Sequence, residues 1–240
     1  MRIQHALLEV VVPNVSHFEL GVCAEPARLV GGDYIDLYRC GEDVLAFGLG
    51  DASGKSLAAA LNSLALRSLV RGLIKALGTA DLAAIVRLAN DVLVEDTDGD
   101  SFITFLLGTL ELESGRLRVV NAGHEPPLIL RAGAASVGTL DRHDIVLGIT
   151  KTTNYGEEEC DLEVGDIAVF YTDGLTEATN DRGEMYTIEG LKAELLHSRD
   201  LPADQLANAM FEAVKAYGVA PMRDDSTIFV AKRDAVTRSA

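Results

Sequence analysis

Four aspartates in this sequence lie where predicted β-strands meet turns, and each has a glycine or another small residue close by. They are Asp33, Asp51, Asp173 and Asp224. Carboxylate oxygens, together with water, are the ligands that Mg²⁺ and Mn²⁺ prefer. Two such ions held about 3.5–4 Å apart can generate a bridging hydroxide and hold a phosphoryl group for in-line attack. Aspartate is also a common turn residue, so the residues alone leave both a metal site and ordinary turns open.

A predicted hairpin brings two of these carboxylates together. Strands are expected over Tyr34–Cys40 and Val44–Gly50, with a turn between them. A hairpin centred on Glu42 places Asp33 opposite Asp51. Directly opposed side chains lie about 5 Å apart, where like charges are destabilising, and a bound cation would remove that penalty. A register shifted by one or two residues, or two solvated strand ends, is the alternative.

The segment that contains Asp51 has some features of a phosphate-binding loop. It reads Gly50-Asp51-Ala52-Ser53-Gly54-Lys55-Ser56 and lies between an apolar run and a long apolar-periodic run. A Walker A loop needs a glycine, four further residues and then Gly-Lys-Ser/Thr. The first of these positions is Leu49 here, and Asp51 would place a carboxylate inside a cradle built for anions. We therefore favour a metal site, whose cation does the phosphate chemistry, over a nucleotide cradle.

The composition narrows the choice of partner and compartment. The formal charge of −16 at pH 7 argues against nucleic acid or an anionic membrane as the main partner. The three cysteines are far apart and form no C-x-x-C motif, which fits a reducing cytosol better than a disulfide framework or a zinc ribbon. The N-terminus does not read as a signal peptide, and we expect no apolar run that approaches the ~18 residues needed to span a bilayer. These features predict a cytoplasmic protein.

The rest of the pattern predicts strands in hairpins and helices in pairs. Besides the hairpin around Glu42, strands are expected over Leu8–Val12, Phe18–Cys23, Phe102–Leu112, Arg116–Asn121, Leu128–Arg131, Tyr155–Leu162, Ile167–Tyr171 and Thr227–Ala231. Helices are expected over Leu57–Leu77, Asp81–Glu95, Ile188–His197 and Ala203–Tyr217. One stripe of the first helix carries the leucines Leu57, Leu61, Leu64, Leu73 and Leu77. No repeat or linker divides the chain, which predicts a single α+β domain with antiparallel sheets covered by helices.

Five motifs, in this order along the chain, resemble those of a known family. They are Gly31-Gly32-Asp33-Tyr34-Ile35-Asp36, Gly50-Asp51-Ala52-Ser53-Gly54-Lys55, Asn121-Ala122-Gly123-His124-Glu125-Pro126-Pro127, Tyr171-Thr172-Asp173-Gly174-Leu175-Thr176-Glu177-Ala178 and Asp224-Asp225-Ser226-Thr227. The family is that of the bacterial metal-dependent serine/threonine phosphatases related to eukaryotic protein phosphatase type 2C. The branch is that of the sporulation phosphatase SpoIIE and the phosphatases that regulate sigma factors. The resemblance runs from about residue 7 to residue 232.

The resemblance implies both a fold and a set of metal ligands. The fold is an α-β-β-α sandwich, in which two antiparallel sheets lie face to face with helix pairs outside. Residues 1–240 would form one phosphatase domain, with a core over about 7–232, no sensor domain and a short C-terminal tail. Asp33 and Asp51 would hold two Mn²⁺ or Mg²⁺ ions with help from the Ala52 carbonyl, and Asp173 and Asp224 would complete the site. The nucleophile would be the metal-bridging hydroxide, without a phosphoenzyme.

The same resemblance implies supporting residues, a substrate class and partners. Asp36, Gly174 and Asp225 match motif positions and are expected to support the ligands, although Asp36 could instead be an exposed strand residue. The substrate would be phosphoserine or phosphothreonine on a signalling protein such as an anti-sigma-factor antagonist. A homodimer or a regulatory partner, acting through the helices after Lys55, is left open. The competing interpretations are a silent phosphoprotein-docking module and a two-metal phosphoesterase for small molecules, and no substrate-binding residues are predicted.

The sequence also departs from the family pattern. Ser56 replaces a usual glycine at the predicted start of a helix, where serine is favourable. Met185-Tyr186-Thr187 replaces a usual Phe-Gly. Ser53 replaces the histidine of the eukaryotic relatives, which removes a candidate general acid. Lys55 or His124 would be the electrostatic substitutes, and the competing interpretation is that Lys55 is solvated and His124 is bonded to the backbone.

Overall fold

The structure of the protein is a computed structural model, and it describes residues 10–27, 31–54, 57–96, 101–219 and 222–235. The predictions for Lys55 and Ser56 lie outside the described residues. The same is true of the first two residues of the strand predicted over Leu8–Val12 and of the start of the predicted core. Of that strand, the described part (residues 10–12) has no regular structure.

The described residues form two antiparallel sheets and five helices. The strands are β1 (Phe18–Glu25), β2 (Asp33–Cys40), β3 (Val44–Ala52), β4 (Ile103–Glu111), β5 (Arg116–Ala122), β6 (Leu128–Leu130), β7 (Gly138–Thr139), β8 (Glu157–Asp161), β9 (Ile167–Tyr171) and β10 (Ser226–Arg233). The helices are α1 (Leu57–Leu77), α2 (Leu82–Asp96), α3 (Asp173–Thr176), α4 (Thr187–Ser198) and α5 (Ala203–Tyr217). The predicted helix boundaries are correct to within a residue.

The first sheet has the strand order β1-β10-β9-β6-β7, and the second has the order β2-β3-β4-β5-β8. In the second sheet, Gly41 takes the left-handed conformation (φ 74°) in the turn between β2 and β3. That turn sets a register in which Asp33 pairs with Asp51 and Cys40 pairs with Val44. The predicted hairpin register is therefore confirmed.

The two sheets face each other across an apolar core. Rings from both sheets meet there: Phe47 of β3 lies 4.5 Å from Phe170 of β9 and 5.2 Å from Phe229 of β10, centroid to centroid. All three rings are buried. Aromatic pairs of this kind contribute about 0.5–1.5 kcal/mol each beyond the burial of their area. The contact fixes how the strand ends of one sheet lie relative to those of the other.

Helices cover the outer face of each sheet. A cluster that includes Leu66 of α1 and Ile85 of α2 packs on Phe105 of the second sheet. A cluster that includes Leu195 of α4 and Phe211 of α5 packs on the first sheet. The layers are therefore helices, sheet, sheet, helices, and the predicted α-β-β-α sandwich is confirmed.

The buried side of α1 differs from the predicted leucine stripe. Leu57, Leu61 and Leu77 are exposed, by 63%, 56% and 55% respectively. The buried residues of the helix are Ala59, Ser63, Leu66, Val70 and Ile74. The predicted leucine stripe was wrong because α1 has apolar residues on more than one side, and a different side packs against β2 and β3.

Helix α1 also exceeds the predicted length of any apolar run. It has 21 residues and, among the described parts of the chain, is the one helix long and apolar enough to cross a membrane by length and composition. The expectation that no run approaches that length was wrong. A helix packed within a folded domain meets the same two criteria, and here Leu66, Val70 and Ile74 lie in the core. Length and composition are therefore weak evidence for a membrane segment.

Candidate metal centre

Asp33 and Asp51 lie at the open end of the β2–β3 hairpin. Asp33 begins β2, Asp51 lies one residue before the end of β3, and the two are register partners. A Cβ atom at Gly32 would lie 3.1 Å from Asp51 Oδ1 and 3.0 Å from the Ala52 carbonyl oxygen. These contacts are closer than side-chain carbons normally make, so glycine keeps this space open. Two of the predicted oxygen ligands therefore border one small space beside Asp33.

The two carboxylate oxygens of Asp33 have different environments. Oδ2 accepts hydrogen bonds from the hydroxyls of Thr172 at 2.8 Å and Thr227 at 2.7 Å. Oδ1 is buried and has no hydrogen-bond partner among the residues that the structure describes. An orphaned buried oxygen is costly unless an ion or another donor satisfies it. The residues at this position therefore fit a divalent cation.

The electrostatics at Asp33 disfavour its charged form. Burial raises the pKa of the Asp33 carboxyl well above its usual range, and the neighbouring charges of Asp51 and Asp225 raise it further. The hydrogen bonds from Thr227 and Thr172 lower the pKa but do not cancel these effects. A cation within a few ångströms would favour the ionised carboxylate.

Asp173 begins the short helix α3, two residues after the end of β9. Gly174 beside it lies against the entrance to β10, where a Cβ atom would come within 2.0 Å of the Asp225 carbonyl oxygen. Gly174 therefore lets the turn that carries Asp173 pack against the segment that carries Asp224 and Asp225. Burial raises the pKa of the nearby Glu125 carboxyl, and Asp173 raises it further.

The two aspartates before β10 are placed differently. The Asp225 carboxylate accepts the Ala27 N–H at 2.7 Å through Oδ1 and the Gly32 N–H at 2.6 Å through Oδ2. Asp225 therefore anchors the segment that leads into Asp33. Asp224 Oδ1 accepts the Asp225 N–H at 3.1 Å, and Asp224 lines an open cleft.

The structure brings the four predicted ligands to one end of the sandwich, but to different degrees. Asp33 and Asp51 are directly opposed. Asp173 follows Thr172 in the sequence, and Asp224 lies three residues before Thr227. These two threonines both contact Asp33. Within the described parts of the chain, no three His, Cys, Asp or Glu side chains are close enough to share one ion. The Asp33–Asp51 pair is therefore the half of the site that the geometry supports directly.

Comparison with known proteins assigns this chain to a family. The sequence model of Stage II sporulation protein E (SpoIIE) matches residues 41–234. The chain belongs to the SpoIIE family. Asp51, Asp173 and Asp224 lie within the match, and Asp33 lies before it.

Two curated relatives extend the similarity. The chain is 24% identical over 235 residues to phosphoserine phosphatase RsbU of Bacillus subtilis, which covers 96% of this chain and 68% of RsbU. It is 27% identical over 210 residues to protein IcfG of Synechocystis, which covers 77% of this chain and 33% of IcfG. The chain thus spans about a third of the length of IcfG.

Solved structures support the fold. The RsbU and RsbW domains of Rv1364c from Mycobacterium tuberculosis align with a TM-score of 0.80 and 25% identity, covering 96% of this chain and 63% of that one. The catalytic domain of the serine/threonine protein phosphatase PstP, solved with two manganese ions, aligns with a TM-score of 0.66 and 17% identity. That alignment covers 90% of this chain and 98% of PstP. The chain therefore has the fold of type 2C phosphatases, and the PstP structure of that fold contains two manganese ions.

Asp36, in the first of the five motifs, contacts helix α1. Its side chain is 2% exposed, so the alternative of an exposed strand residue was wrong. Its carboxylate forms an ion pair with Arg71 and lies 3.3 Å from Arg67, and both arginines belong to α1. Arg71 also lies over the Tyr38 ring, 5.3 Å from its centroid. Asp36 therefore ties β2 to α1.

His124, in the third motif, is a buried and neutral residue. Burial lowers the pKa of the imidazole to about 4. Its Nδ1 lies 3.0 Å from Thr104 Oγ1, and its backbone N–H and C=O both bond the Asn121 side chain, at 2.7 and 3.0 Å. Because the ring is uncharged near pH 7, it is not the electrostatic substitute considered above, and its contacts fit a structural role.

Two departures from the family pattern have local explanations. Ser53 Oγ accepts the Phe102 N–H at 3.0 Å, so this residue links the end of β3 to the start of β4. Thr187, in the Met185-Tyr186-Thr187 segment that replaces a usual Phe-Gly, has a left-handed backbone with φ 66°. This backbone conformation favours glycine, although the residue here is β-branched. Met185, two residues earlier, lines the cleft beside Asp224.

Sequence reasoning missed three hydroxyl groups that contact the Asp33 segment. Thr172 and Thr227 lie within the fourth and fifth motifs. Thr172 directly precedes the predicted ligand Asp173, and Thr227 lies three residues after the predicted ligand Asp224. Ser63 of α1 donates to the Gly32 carbonyl at 2.5 Å and gives no local signal in the sequence. The two threonines could have been suspected from their positions at strand ends beside aspartates.

Proposed function

We propose that this SpoIIE-family chain is a protein serine/threonine phosphatase that depends on two Mn²⁺ or Mg²⁺ ions. The observation that carries the proposal is the buried Oδ1 of Asp33, which has no partner within the described ranges and belongs to a residue directly opposite Asp51. Two opposed carboxylates, one with an orphaned oxygen, are an unfavourable arrangement without a cation. The manganese ions in the PstP structure support the choice of metal.

The residues proposed to hold the ions are Asp33, Asp51, the Ala52 carbonyl, Asp173 and Asp224. When bound, two divalent cations activate water as a nucleophile near neutral pH and offset the charge of the phosphoryl group. The chain's own contribution is positioning. Gly32 keeps the space beside Asp51 free, and Asp225 and Gly174 hold the segments that carry the other aspartates.

The proposed substrate is phosphoserine or phosphothreonine on a signalling protein, in particular an anti-sigma-factor antagonist. Similarity to RsbU, which is named a phosphoserine phosphatase, supports this choice. The net charge of −16 supports a protein partner rather than nucleic acid. We further propose a single phosphatase domain over residues 1–240, acting in the cytoplasm without a membrane partner. A second copy of the chain or a regulatory protein would be its other partner.

An aryl-phosphate assay tests the reaction. Wild type and Asp51→Ala are compared with and without Mn²⁺, and Asp43→Ala, which changes an exposed aspartate in the β2–β3 turn, is the matched control. We expect metal-dependent turnover, and we expect Asp51→Ala to lower it by more than about 100-fold. This loss is larger than the loss typical of mutating a residue that only hydrogen-bonds a metal ligand. Activity without bound or added metal, or activity that survives both Asp51→Ala and Asp173→Ala, would refute the mechanism.

The two competing functions give different results. A phosphoprotein-docking module would bind a phosphorylated antagonist protein but release no phosphate with any metal. A small-molecule phosphoesterase would hydrolyse nucleotides faster than the phosphoprotein. Faster release from the phosphorylated antagonist than from nucleotides is the outcome that the proposal requires.

A further inference from the structure

The Asp33 carboxylate is held on one side only. Its Oδ2 accepts two hydroxyl hydrogen bonds, from Thr172 Oγ1 at 2.8 Å and Thr227 Oγ1 at 2.7 Å, whereas Oδ1 accepts none from the described part of the chain. Two donors on the same oxygen fix the plane of the carboxylate, since a partial rotation about the Cβ–Cγ bond would break both hydrogen bonds. The asymmetry leaves Oδ1 as the oxygen that remains for another ligand.

The hydroxyl pair, Thr172 and Thr227, belongs to the other sheet. Asp33 begins β2 of the second sheet, while Thr172 directly follows β9 and Thr227 lies in β10 of the first sheet. These two bonds therefore join the sheets at the end that carries the proposed ligands. Cross-sheet hydrogen bonds to a carboxylate are not needed for the sheets themselves, whose contact is made by the aromatic core.

The hydroxyl pair is itself held firmly. The Thr172 N–H donates to the Thr227 carbonyl at 3.0 Å, and the Thr227 N–H donates to Thr172 Oγ1 at 2.9 Å. Because Thr172 Oγ1 already accepts this N–H, its hydroxyl proton is free to be donated to Asp33. Both threonines are buried, with 0% and 2% exposure. Buried threonines more often bond their own local backbone, so a shared carboxylate acceptor indicates a specific use.

We propose that Thr172 and Thr227 are positioning residues that anchor Asp33 Oδ2 and thereby present Oδ1 to a divalent cation. The inference rests on the proposed function in one respect, namely that Asp33 is a metal ligand. Residues that bond a ligating carboxylate fix its orientation, and their loss typically weakens metal binding by about 10–100-fold. The hydroxyl pair acts through Asp33 and contacts neither the substrate nor the ion.

The test is the affinity of the full chain for Mn²⁺, measured by isothermal titration calorimetry in the absence of any substrate. Thr227→Val is the decisive variant, because it removes one hydroxyl and keeps the shape of the side chain. Thr172→Val also leaves the Thr227 N–H without its acceptor, so it serves as a second variant. Thr109→Val, at a buried threonine of β4, is the matched control. Thr227→Ser restores the hydroxyl.

We expect Thr227→Val to weaken Mn²⁺ binding on the order of ten-fold, while Thr227→Ser and Thr109→Val stay within about two-fold of wild type. In an aryl-phosphate assay, Thr227→Val should regain most of its kcat when Mn²⁺ is raised to saturation. A thermal melt of each variant in EDTA separates a loss of affinity from a loss of folding.

The outcomes separate this inference from the proposed function. Equal Mn²⁺ affinity in Thr227→Val and Thr109→Val overturns the inference and leaves the phosphatase proposal intact. Weakened Mn²⁺ binding in a protein that hydrolyses no phosphate ester supports the inference and overturns the phosphatase proposal. A wild type that binds no Mn²⁺, or an Asp33→Asn variant that binds it normally, overturns the inference.

Discussion

Asp33 and Asp51 are direct register partners in the antiparallel pair of β2 and β3. Like charges in this position repel, and the cost rises because Asp33 Oδ1 is buried. The arrangement opposes folding of the metal-free protein and favours cation binding. Stability and function are therefore expected to respond in opposite directions when one charge is removed.

Asp51→Asn should stabilise the metal-free protein and abolish metal-dependent activity. Removing the repulsion should raise the free energy of unfolding by about 0.5–1 kcal/mol at pH 7 in EDTA. For a chain of this size, 1 kcal/mol corresponds to a rise in Tm of about 2–4 °C. Added Mn²⁺ should raise the Tm of wild type through linkage and leave that of Asp51→Asn unchanged. Differential scanning fluorimetry measures both effects.

Asp43→Asn is the control for this comparison. Asp43 is exposed in the turn of the same hairpin, so its change removes the same charge far from Asp33. Its Tm in EDTA should stay near that of wild type, and its response to Mn²⁺ should be retained. A lower Tm for Asp51→Asn in EDTA would show that the opposed carboxylates are not a source of strain.

The hairpin was predictable because its information is local. A short turn with glycine at position 41 and alternating strands fix the register, and the register alone places Asp33 opposite Asp51. The order of the five motifs supplied the sandwich and the remaining ligands through resemblance. The hydrogen bonds that join the motifs could not be predicted from local pattern or from motif order. The bonds from Thr172 and Thr227 to Asp33 cross between sheets and span more than a hundred residues of sequence.

The orientation of α1 shows the same limit. Leucine spacing predicted one stripe, but Leu57 and Leu61 are exposed while Ser63 is buried against the Gly32 carbonyl. Apolar periodicity predicts that a helix packs against the rest of the domain. Which side of the helix is buried depends on the surface that it packs against. The partner surface here also carries a buried carboxylate, Asp36, which pairs with Arg67 and Arg71 of the helix.

Arg71→Met should destabilise the fold strongly. Arg71 pairs with Asp36, and losing it leaves the buried carboxylate with the longer contact to Arg67 as its one remaining ion pair among the described residues. Breaking a buried pair by removing one partner typically costs about 3–5 kcal/mol, and the remaining arginine should keep the loss near 3 kcal/mol. Urea unfolding followed by circular dichroism measures the change.

The double variant Asp36→Asn/Arg71→Met tests the cause. If the uncompensated charge is responsible, the double variant should be more stable than Arg71→Met alone, because asparagine needs no counter-charge. Arg87→Met removes an exposed arginine of α2 and should change stability by less than about 0.5 kcal/mol. Additive losses in the double variant would contradict the charge argument.

His124 should make the folded protein sensitive to mild acid. Burial lowers its pKa to about 4, whereas an unfolded histidine titrates near ~6.5. Between these values the unfolded chain binds a proton that the folded chain does not, so stability falls as the pH is lowered through this window. The full effect is about 3 kcal/mol, reached near pH 4. Urea unfolding from pH 7.5 to 4.5 follows it.

His124→Asn should be less stable than wild type at pH 7.5, since it loses packing and the contact to Thr104. Its stability should nevertheless depend less on pH below about 6.5. His143→Asn changes an exposed histidine close in sequence and should keep the wild-type slope. An unchanged slope in His124→Asn would rule out this residue as the source of acid sensitivity.

Thr187→Gly should stabilise the protein by relieving backbone strain. Thr187 has φ 66° at the first residue of α4, and its side chain is exposed. A left-handed conformation costs an ordinary residue about 1–2 kcal/mol, while glycine loses about 0.5–1 kcal/mol more backbone entropy on folding. The net gain in unfolding free energy should be about 0.5–1 kcal/mol.

Thr187→Ala is the matched control, because alanine keeps the strain and should not give this gain. Equal stability of the glycine and alanine variants in urea unfolding would mean that the conformation is not strained. If the aryl-phosphate turnover falls in Thr187→Gly as stability rises, the strained residue shapes the cleft that Met185 lines beside Asp224.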